Sequence, residues 1–235
     1  MLVSVCLRVS IIRQTKHNQS KMKKYLIPLI ILVPVGILAY MYNLVSFLLL
    51  ALIILSLSVL LVAVLIRTFR KSINQKWLRV PLTVIVICAL GILIGLFRPL
   101  APAIVSQGNV SEKLAYAYTT DQSDRMTMKA YLGILDDNMA KRDSIRLQQV
   151  NKLYKDNQIS QPLDKFYAAF VLHHSKKSEL FEIAQKLANE AASVSELKNN
   201  YVAQWLAKAT YDRWMVSLGK PQKYGTQDKF SISVE

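Results

Sequence analysis

Two adjacent histidines, His173 and His174, are the residues of this sequence best suited to acid–base chemistry or metal binding. Imidazole titrates near neutral pH, so His174 could act as a general acid or base. The His-Glu-x-x-His spacing of a zinc site is absent, although Glu179 and Glu182 follow in the next predicted helix. Both histidines also end a predicted helix, where the helix dipole stabilises positive charge. A catalytic role and a purely structural role are therefore both open for His174.

Acidic residues stand next to arginines at three further places in the second half of the chain. These are Asp124-Arg125, Arg142-Asp143-x-x-Arg146 and Asp212-Arg213. Paired across neighbouring helices, such residues can hold a bundle in register, and the planar guanidinium fork can equally bind an anionic ligand. Exposed pairs contribute little to stability. The pattern leaves a structural role, a solvated surface and an anion-binding pocket as alternatives.

A polar segment of irregular sequence follows the last predicted helix. Gly219 suits the left-handed conformation that ends a helix, and Pro221 prevents the helix from continuing. The amide groups of Gln222 and Gln227 and the phenol of Tyr224 can donate and accept hydrogen bonds. Such a segment either caps the end of the helical bundle or presents its polar groups to a ligand.

Residues 212–227 resemble the C-terminal signature of a bacterial family of domains with no established function. Members of that family carry an Asp-Arg pair before the ending Gly-Lys-x-Gln-x-Tyr-Gly-Thr-Gln, which is similar to residues 219–227 of this chain. Further similar stretches are Arg142-Asp143-x-x-Arg146, Asp164 with Tyr167-Ala168-Ala169, His174-Ser175, and the alanine-rich residues 184–192. The similarity covers roughly residues 120–228 and does not include the apolar first part of the chain.

This resemblance implies an α-helical domain whose polar signature residues converge on one site. The candidate ligand-binding residues are Asp212, Arg213, Gln222, Tyr224 and Gln227, together with His174. The resemblance implies no reaction and no substrate, and no cofactor is expected. A structural zinc site is not expected either, because the two cysteines, Cys6 and Cys88, form no Cys/His cluster.

Helical periodicity predicts an all-α domain over residues 110–235. Prolines and a polar stretch mark residues 99–109 as a linker. The predicted helices cover about residues 110–118, 123–140, 143–156, 163–174, 178–193 and 195–218. Ser123, Ser178 and Ser195 are the expected N-caps. Short paired helices of this kind are typical of a bundle of helical hairpins around one modest core.

Three apolar runs predict a three-helix membrane anchor over residues 25–98. The runs cover residues 25–42, 44–66 and 80–97. Gly91 and Gly95 have the G-x-x-x-G spacing that lets membrane helices approach closely, although the same spacing also arises by chance. No charged residue lies within the runs, which disfavours a pathway for ions or solutes.

Basic residues lie beside these runs and set the expected orientation. The loop of residues 67–79 carries five Lys or Arg and no acid, and residues 1–24 are basic without an acid. Cationic loops stay on the cytoplasmic side of a bilayer. The N-terminus and the loop are therefore predicted to be cytoplasmic, and residues 110–235 extracytoplasmic. The sequence Met22-Lys23-Lys24 leaves a translation start at Met22 as an alternative.

The net charge of +15 comes mostly from the apolar half, because all 15 acids lie at or beyond Glu112. Anchoring in a lipid bilayer explains this charge better than binding to nucleic acid, which is not expected. The sequence predicts a multi-pass protein of a bacterial inner membrane that binds an envelope ligand or a membrane-protein partner. One alternative is a hydrolase-like envelope enzyme, with His174 as general acid or base and Arg213 as anion clamp. Another alternative is a structural subunit of a membrane complex.

Overall fold

The computed structural model describes residue 26 and residues 28–70 and 74–227, with the side chains of residues 136 and 137 left aside. The predicted cytoplasmic segment, residues 1–24, lies outside these ranges. Every regular element in the described ranges is an α-helix, which confirms the all-α class. The chain divides into two compact units, Met1–Pro99 and Leu100–Glu235.

Three apolar helices form the first unit. They are α1 (Pro28–Met41), α2 (Asn43–Phe69) and α3 (Lys76–Leu96). At 1.5 Å per residue, the 27 residues of α2 extend about 40 Å and the 21 residues of α3 about 32 Å. Both are long and apolar enough to cross a membrane. Helix α1 is shorter than the roughly 20 residues that a span requires, so the third span stays a prediction.

The basic loop is shorter than the sequence predicts. Helix α2 continues through Arg67 to Phe69, and α3 begins at Lys76 rather than at Val80. Arginine and lysine are good helix formers, so both helices extend into the cationic sequence. The hydroxyl of Thr68 also donates a hydrogen bond within the last turn of α2. Several of the cations therefore belong to helix ends rather than to a loop.

Helix α3 packs closely against α1 and α2 through its two glycines. A Cβ added at Gly91 would lie 2.8 Å from Leu49 Cδ1 and 2.9 Å from Val35 Cγ1. A Cβ added at Gly95 would lie 3.1 Å from the carbonyl oxygen of Ala39, closer than nine in ten Cβ contacts. The G-x-x-x-G spacing is therefore a packing site of the first unit and not a chance match.

Six helices form the second unit. They are α4 (Val110–Arg125), α5 (Met128–Tyr131), α6 (Asp136–Lys155), α7 (Pro162–Leu172), α8 (Ser178–Ser193) and α9 (Tyr201–Ser217). Helix α7 contacts α4, α6, α8 and α9, and its residues 168–172 are all buried. The hairpins α7–α8 and α8–α9 pack side by side around this central helix. The polar sites described below all surround the C-terminal end of α7 or the adjoining end of α9.

The predicted helix boundary at Ser123 is wrong, because α4 runs unbroken to Arg125. The hydroxyls of Thr119 and Thr120 donate to carbonyl oxygens one turn earlier, at 2.8 and 2.9 Å, so these polar residues do not interrupt the helix. The predicted helix 123–140 is replaced by the end of α4, the short α5 and the start of α6.

The other two predicted N-caps also differ from the structure. Helix α9 begins after Asn200, whose side-chain oxygen accepts hydrogen bonds from the first turn, and Ser195 lies in the preceding turn. Ser178 is the first residue of α8, after Lys177, and its hydroxyl lies 2.9 Å from that of Ser217. The serine of α8 thus contacts a neighbouring helix instead of capping its own.

Of the residues predicted as a linker, 99–109, all but the first are part of the second unit, which begins at Leu100. Three of their carbonyl oxygens accept hydrogen bonds from side chains of α4 and α6. The pairs are Arg142 to Ala101 at 2.6 Å, Thr120 to Ala103 at 3.0 Å and Gln149 to Val105 at 2.9 Å. Asn109 then caps α4 in a capping box with Glu112. Residues 100–109 are therefore packed on the helices of the second unit and do not form a free linker.

Candidate functional site

Six charged side chains meet between α4 and α6, and we call this group the Asp–Arg cluster. Its members are Asp121, Asp124 and Arg125 of α4 and Arg142, Asp143 and Arg146 of α6. Within each helix the spacing of three or four residues places them on one face. Three carboxylates meet three guanidinium groups, so the formal charges cancel. Pairing across neighbouring helices is therefore the arrangement that the structure adopts for these residues.

Arg146 occupies the centre of the cluster and is 0% exposed. Its guanidinium group bonds to Asp124, lies 3.1 Å from Asp143 and donates to the hydroxyl of Thr120 at 3.3 Å. Arg142 reaches the same Asp124 at 2.7 Å from the edge of the cluster. A buried charge costs several kcal/mol unless it is paired. The two arginines therefore hold α6 in register with α4.

His174 joins the cluster from the turn after α7. Its Nδ1 lies 3.0 Å from Oδ2 of Asp121 and 3.3 Å from Nε of Arg125. One ring nitrogen cannot donate to the carboxylate and accept from the guanidinium at the same time. The shorter and charge-assisted contact assigns the Nδ1 proton to the bond with Asp121. Nε2 is then the ring atom with which His174 can act on a ligand.

Asp121 is kept ionised at neutral pH by its partners. Burial raises the pKa of this carboxyl group, since the residue is almost entirely buried. The hydrogen bond from His174 and the positive charges of Arg125 and Arg146 outweigh burial, and the pKa of Asp121 lies below its ordinary value. Asp121 is therefore the anion that fixes the orientation of the His174 ring.

His173 has a different environment from its neighbour. It is buried beside the ring of Trp205, with centroids 6.2 Å apart, and its Nδ1 has no hydrogen-bond partner within the described part of the chain. Burial lowers the pKa of His173 well below the usual value, and the charges of Arg213, His174 and Arg125 lower it further. His173 is therefore neutral at physiological pH and has a structural role.

A cavity of about 390 Å³ opens beside His174, and we call it the His174 cavity. Helix α6 forms one wall, and the turn between α7 and α8 forms the other. The polar lining groups are Asp143, Ser144, Gln148 and Asn151 from α6 and His174, Ser175, Lys176 and Lys177 from the turn. Leu147 and Leu180 supply apolar contact. The volume is within the range of small-molecule binding sites.

His174 presents Nε2 to the cavity as a hydrogen-bond acceptor, since the proton on Nδ1 bonds to Asp121. Asn151 lines the same cavity, but its side-chain oxygen is buried and has no hydrogen-bond partner among the residues that the structure describes. Lys176 and Lys177 are exposed and line the same cavity. The cavity therefore suits a small ligand that carries both an N–H or O–H donor and a negative charge.

Asp212, fully buried in α9, holds the segment that follows the helix. Its carboxylate accepts hydrogen bonds from the N–H groups of Lys223, Tyr224 and Thr226 and from the Thr226 hydroxyl, at 2.8–3.1 Å. We call residues 222–227, fastened in this way, the tail latch. Burial raises the pKa of Asp212, but these bonds outweigh burial and keep the pKa below its ordinary value.

Arg213 fastens the tail latch from the next position. Its Nε donates to the side-chain oxygen of Gln227 at 3.1 Å, and Nη1 donates to the carbonyl oxygen of His173 at 2.8 Å. Gln222 closes the latch internally, since its side-chain oxygen accepts from the Gln227 N–H at 2.9 Å. The Arg213 guanidinium therefore ties the tail to the end of α7.

The ring of Tyr224 lies on the surface of the latch and is 44% exposed. It meets the ring of Tyr211 edge-on, with centroids 5.7 Å apart. The ammonium groups of Lys223 and Lys208 lie 5.2 and 5.9 Å from its centroid, within cation–π range. The backbone of Tyr224 thus serves the latch, whereas its side chain makes a separate surface contact.

The six predicted ligand-binding residues fall into two groups. Five belong to the tail latch and its anchors: Asp212, Arg213, Gln222, Tyr224 and Gln227. The sixth, His174, lines the His174 cavity. The bond from Arg213 to the carbonyl of His173 links the groups through the backbone. Of the two roles open for the tail, the geometry corresponds to capping the bundle.

Several residues of the site have no place in the sequence-based prediction, among them Asp121, Asn151, Lys176 and Lys177. Asp121 could have been found, because it stands three residues before Asp124 and four before Arg125 on one helix face. The other three give no such signal, since their place in the cavity depends on how α6 packs beside the turn into α8. For residues 28–70 and 74–227, no group of three or more His, Cys, Asp and Glu side chains could hold a metal ion.

Comparison of the chain with protein-family models, with curated proteins and with solved structures gives no match. The functional argument therefore rests on the geometry and chemistry of the His174 cavity, the Asp–Arg cluster and the tail latch.

Proposed function

We propose that this chain is a multi-pass protein of a bacterial inner membrane whose helical unit binds a ligand at the cell envelope. Helices α1, α2 and α3 are its three spans, with the N-terminus and the basic loop in the cytoplasm and residues 110–235 outside it. The length and apolar character of α2 and α3 support the membrane placement. The cations of residues 67–79 support the orientation.

The His174 cavity is the observation that carries the binding role. It joins an imidazole oriented by Asp121, with Nε2 as an acceptor, and the two cations Lys176 and Lys177. A ligand with a carboxylate and an amide N–H would match the cations and Nε2 respectively. A short acidic peptide is the simplest compound of this class. We therefore propose an amide-bearing anion, such as a peptide component of the envelope, as the ligand.

Titration of the purified full chain in detergent micelles with N-acetyl-alanyl-glutamate tests this role. Saturable binding is expected, and the double variant Lys176→Gln, Lys177→Gln should weaken it at least about tenfold, because charge-assisted hydrogen bonds are lost. The matched control is Lys186→Gln, Lys198→Gln, which removes two exposed cations outside the cavity. Equal weakening by both double variants, or no saturable binding, would contradict the proposal.

A separate experiment tests the orientation. Alkaline phosphatase fused after residue 227 is active only outside the cytoplasm, so the proposed topology predicts high activity in intact cells. A high activity that falls when the cations of residues 67–79 are replaced by Gln would support the charge-based orientation. An inactive but intact fusion would place the helical unit in the cytoplasm.

An envelope hydrolase is the second candidate, favoured by the bond between Asp121 and His174. A carboxylate on Nδ1 orients the ring and leaves Nε2 to act as general base, and Ser144 and Ser175 line the same cavity. The anion clamp would be Lys176 rather than Arg213, because Arg213 already donates to Gln227 and to the backbone. Glutamate release from the same peptide, lost in His174→Gln, would favour this candidate.

A docking role in a membrane complex is supported by one further observation. Four large apolar side chains are exposed in the segment of chain that connects α4 to α6: Met126, Tyr131, Leu132 and Ile134. Exposed apolar groups concentrated in a short segment are typical of a protein or membrane contact. Replacing Leu132 and Ile134 by Ser should release a partner in this case and leave peptide binding in the His174 cavity unchanged.

A further inference from the structure

A second cavity, of about 570 Å³, runs along α2 in the first unit. We call it the α2 groove. Its main lining residues are Val59, Val62, Ala63 and Ile66 of α2, with Asn74 from the turn and Trp77 from the first turn of α3. The α2 residues stand at positions i, i+3, i+4 and i+7, so they form one apolar face about 10 Å long. The lining is suited to a hydrocarbon chain and not to a polar solute.

Cations lie next in sequence to the residues at the end of the α2 groove at which α2 and α3 are joined. Arg67 follows Ile66 directly, and Arg70 ends the helix one turn later. Lys76 precedes Trp77, and all three cations are exposed. The sequence has no acidic residue before Glu112, so nothing of opposite sign in this half of the chain neutralises them. The groove therefore has an apolar length and a cationic end.

Trp77 lies at the boundary between these two parts. Its ring lines the groove while remaining largely exposed, and indole rings favour the level of lipid headgroups. The indole N–H and the amide of Asn74 are polar groups at the same end of the groove. This combination matches a molecule with an acyl chain and a negatively charged headgroup.

We infer that the α2 groove holds one anionic phospholipid. Its acyl chain lies along the face of Val59, Val62 and Ile66, and its phosphate lies beside Trp77 among the cations. The inference rests on the proposed membrane placement, and it commits to a lipid rather than to free phosphate because the lining is apolar. Each cation near the headgroup favours the anionic lipid about fivefold over a zwitterionic one.

Fluorescence of Trp77 provides the test. The chain has three tryptophans, so the variant Trp205→Phe, Trp214→Phe leaves Trp77 alone. This variant is reconstituted in vesicles of unlabelled phosphatidylcholine. Rising fractions of one brominated lipid, either phosphatidylglycerol or phosphatidylcholine, are then included. Bromine atoms on the acyl chains quench the fluorescence of a tryptophan that they contact. Half-maximal quenching should need at least about fivefold less brominated phosphatidylglycerol than brominated phosphatidylcholine. Equal quenching by the two lipids would overturn the inference.

Substitutions separate the groove from the charges. Replacing all three cations together, with Arg67→Gln, Arg70→Gln and Lys76→Gln, should bring phosphatidylglycerol to the level of phosphatidylcholine. Val62→Phe places a larger side chain in the groove and should weaken quenching, whereas Leu61→Phe is the matched control. The two positions are adjacent and 54% and 61% exposed, but only Val62 lines the groove. The same effect from both Phe variants would overturn the inference.

Native mass spectrometry of the chain with all three tryptophans gives an independent check. One phosphatidylglycerol should remain bound to the parent and to Leu61→Phe and be lost from Val62→Phe. A chain that is inserted in vesicles, as shown by resistance to alkaline extraction, but has no preference for phosphatidylglycerol contradicts the lipid site alone. A chain that alkali extracts contradicts the membrane placement, and the lipid site with it.

Discussion

Arg146 is fully buried, and its guanidinium group is held by Asp124, Asp143 and Thr120. Burying an ion pair gives little net stabilisation, because desolvation offsets much of the attraction. Removing Arg146 is different, since the cluster then keeps three carboxylates with only two guanidinium groups, which leaves a net negative charge in the interior. The value of the Asp–Arg cluster therefore lies in the geometry that it enforces between α4 and α6.

Replacing Arg146 by Met should lower the free energy of unfolding by about 3–5 kcal/mol, because Asp124 and Asp143 lose a buried partner. Arg146→Lys should lower the free energy of unfolding by less, since lysine keeps the positive charge but lacks the planar guanidinium group that binds two acceptors. Thermal unfolding of the full chain in detergent micelles, followed by tryptophan fluorescence, measures both variants. The exposed control Lys186→Met should change stability by less than about 0.5 kcal/mol. A loss below about 1 kcal/mol for Arg146→Met would contradict this role.

His173 predicts a loss of stability on mild acidification. Burial holds its pKa in the folded chain well below the unfolded value of about 6.5, so below that pH the unfolded state binds a proton that the folded state does not. The contribution of His173 to the free energy of unfolding is fully present above about pH 6.5. It is lost as the pH falls toward the pKa of the folded state. Between pH 7.5 and 5.5 the loss should be about 1.4 kcal/mol, measured by denaturant unfolding.

The variant His173→Phe should remove this dependence on mild acidification. The carboxyl groups of Asp121 and Asp212 have lowered pKa values, so their contribution is present above about pH 3.9 and is lost only below it. The two pH windows are therefore separate. An unchanged loss of stability between pH 7.5 and 5.5 in His173→Phe would show that another group is responsible.

Among the elements, α8 is the one that the sequence predicts best. Its predicted range 178–193 matches the structure, because Ala184, Leu187 and Ala191 repeat at helical spacing and face one core. The boundaries of α4 and α9 were less predictable. The predicted break between residues 118 and 123 is absent, because Thr120 bonds within α4, and α9 is started by Asn200 rather than by a serine.

The same contrast applies to the candidate site. The resemblance of residues 212–227 to a bacterial family implied the grouping of Asp212 and Arg213 with the tail, and the glycine and proline that end α9 let the chain return toward them. The His174 cavity could not be predicted, since it depends on how α6 packs beside the turn into α8. Linear spacing reveals which side chains share a helix face, but it contains no information on which faces meet.

The tail latch gives a prediction at the scale of one element. Asp212→Asn removes the negative charge and leaves one acceptor oxygen in place of two for the N–H groups of Lys223, Tyr224 and Thr226. The free energy of local opening of the tail should therefore fall by about 2 kcal/mol. Cleavage by trypsin after Lys223 should then accelerate about 30-fold, as followed by mass spectrometry. Lys220 is not a competing site because Pro221 follows it.

Tyr224→Phe is the control for the latch, because it retains the backbone N–H that bonds to Asp212. Its cleavage rate should stay close to that of the parent chain. If Asp212→Asn were cleaved no faster than Tyr224→Phe, the tail would be held by contacts other than the carboxylate.

At the scale of the whole molecule, the chain consists of two units with different chemistry. The first has an apolar surface and small residues at its helix contacts, whereas the second has a buried core and a charged network. The charge asymmetry of the sequence follows the same division, since all acids lie at or beyond Glu112. Each unit has its own packing, so each should respond to its own substitutions.

Calorimetry of the full chain in micelles should therefore resolve two unfolding transitions. Gly95→Val should lower the temperature of only one transition, because the added side chain meets the backbone of Ala39. The free energy of unfolding of that unit should fall by about 1–3 kcal/mol. Arg146→Met should lower only the other. The control Ala89→Leu enlarges an exposed position of α3 and should move neither transition. A single transition shifted by both substitutions would show that the two units unfold together.

The way in which the tail latch is fastened constrains how this sequence can evolve. Lys223 contributes only its backbone N–H to Asp212, a group that every residue except proline possesses. Thr226 also contributes its hydroxyl, and Gly225 has a φ of 64° that favours glycine. Selection on this fold should therefore act on Asp212, Gly225 and Thr226 as a set, while any residue other than proline at position 223 keeps the bond to Asp212.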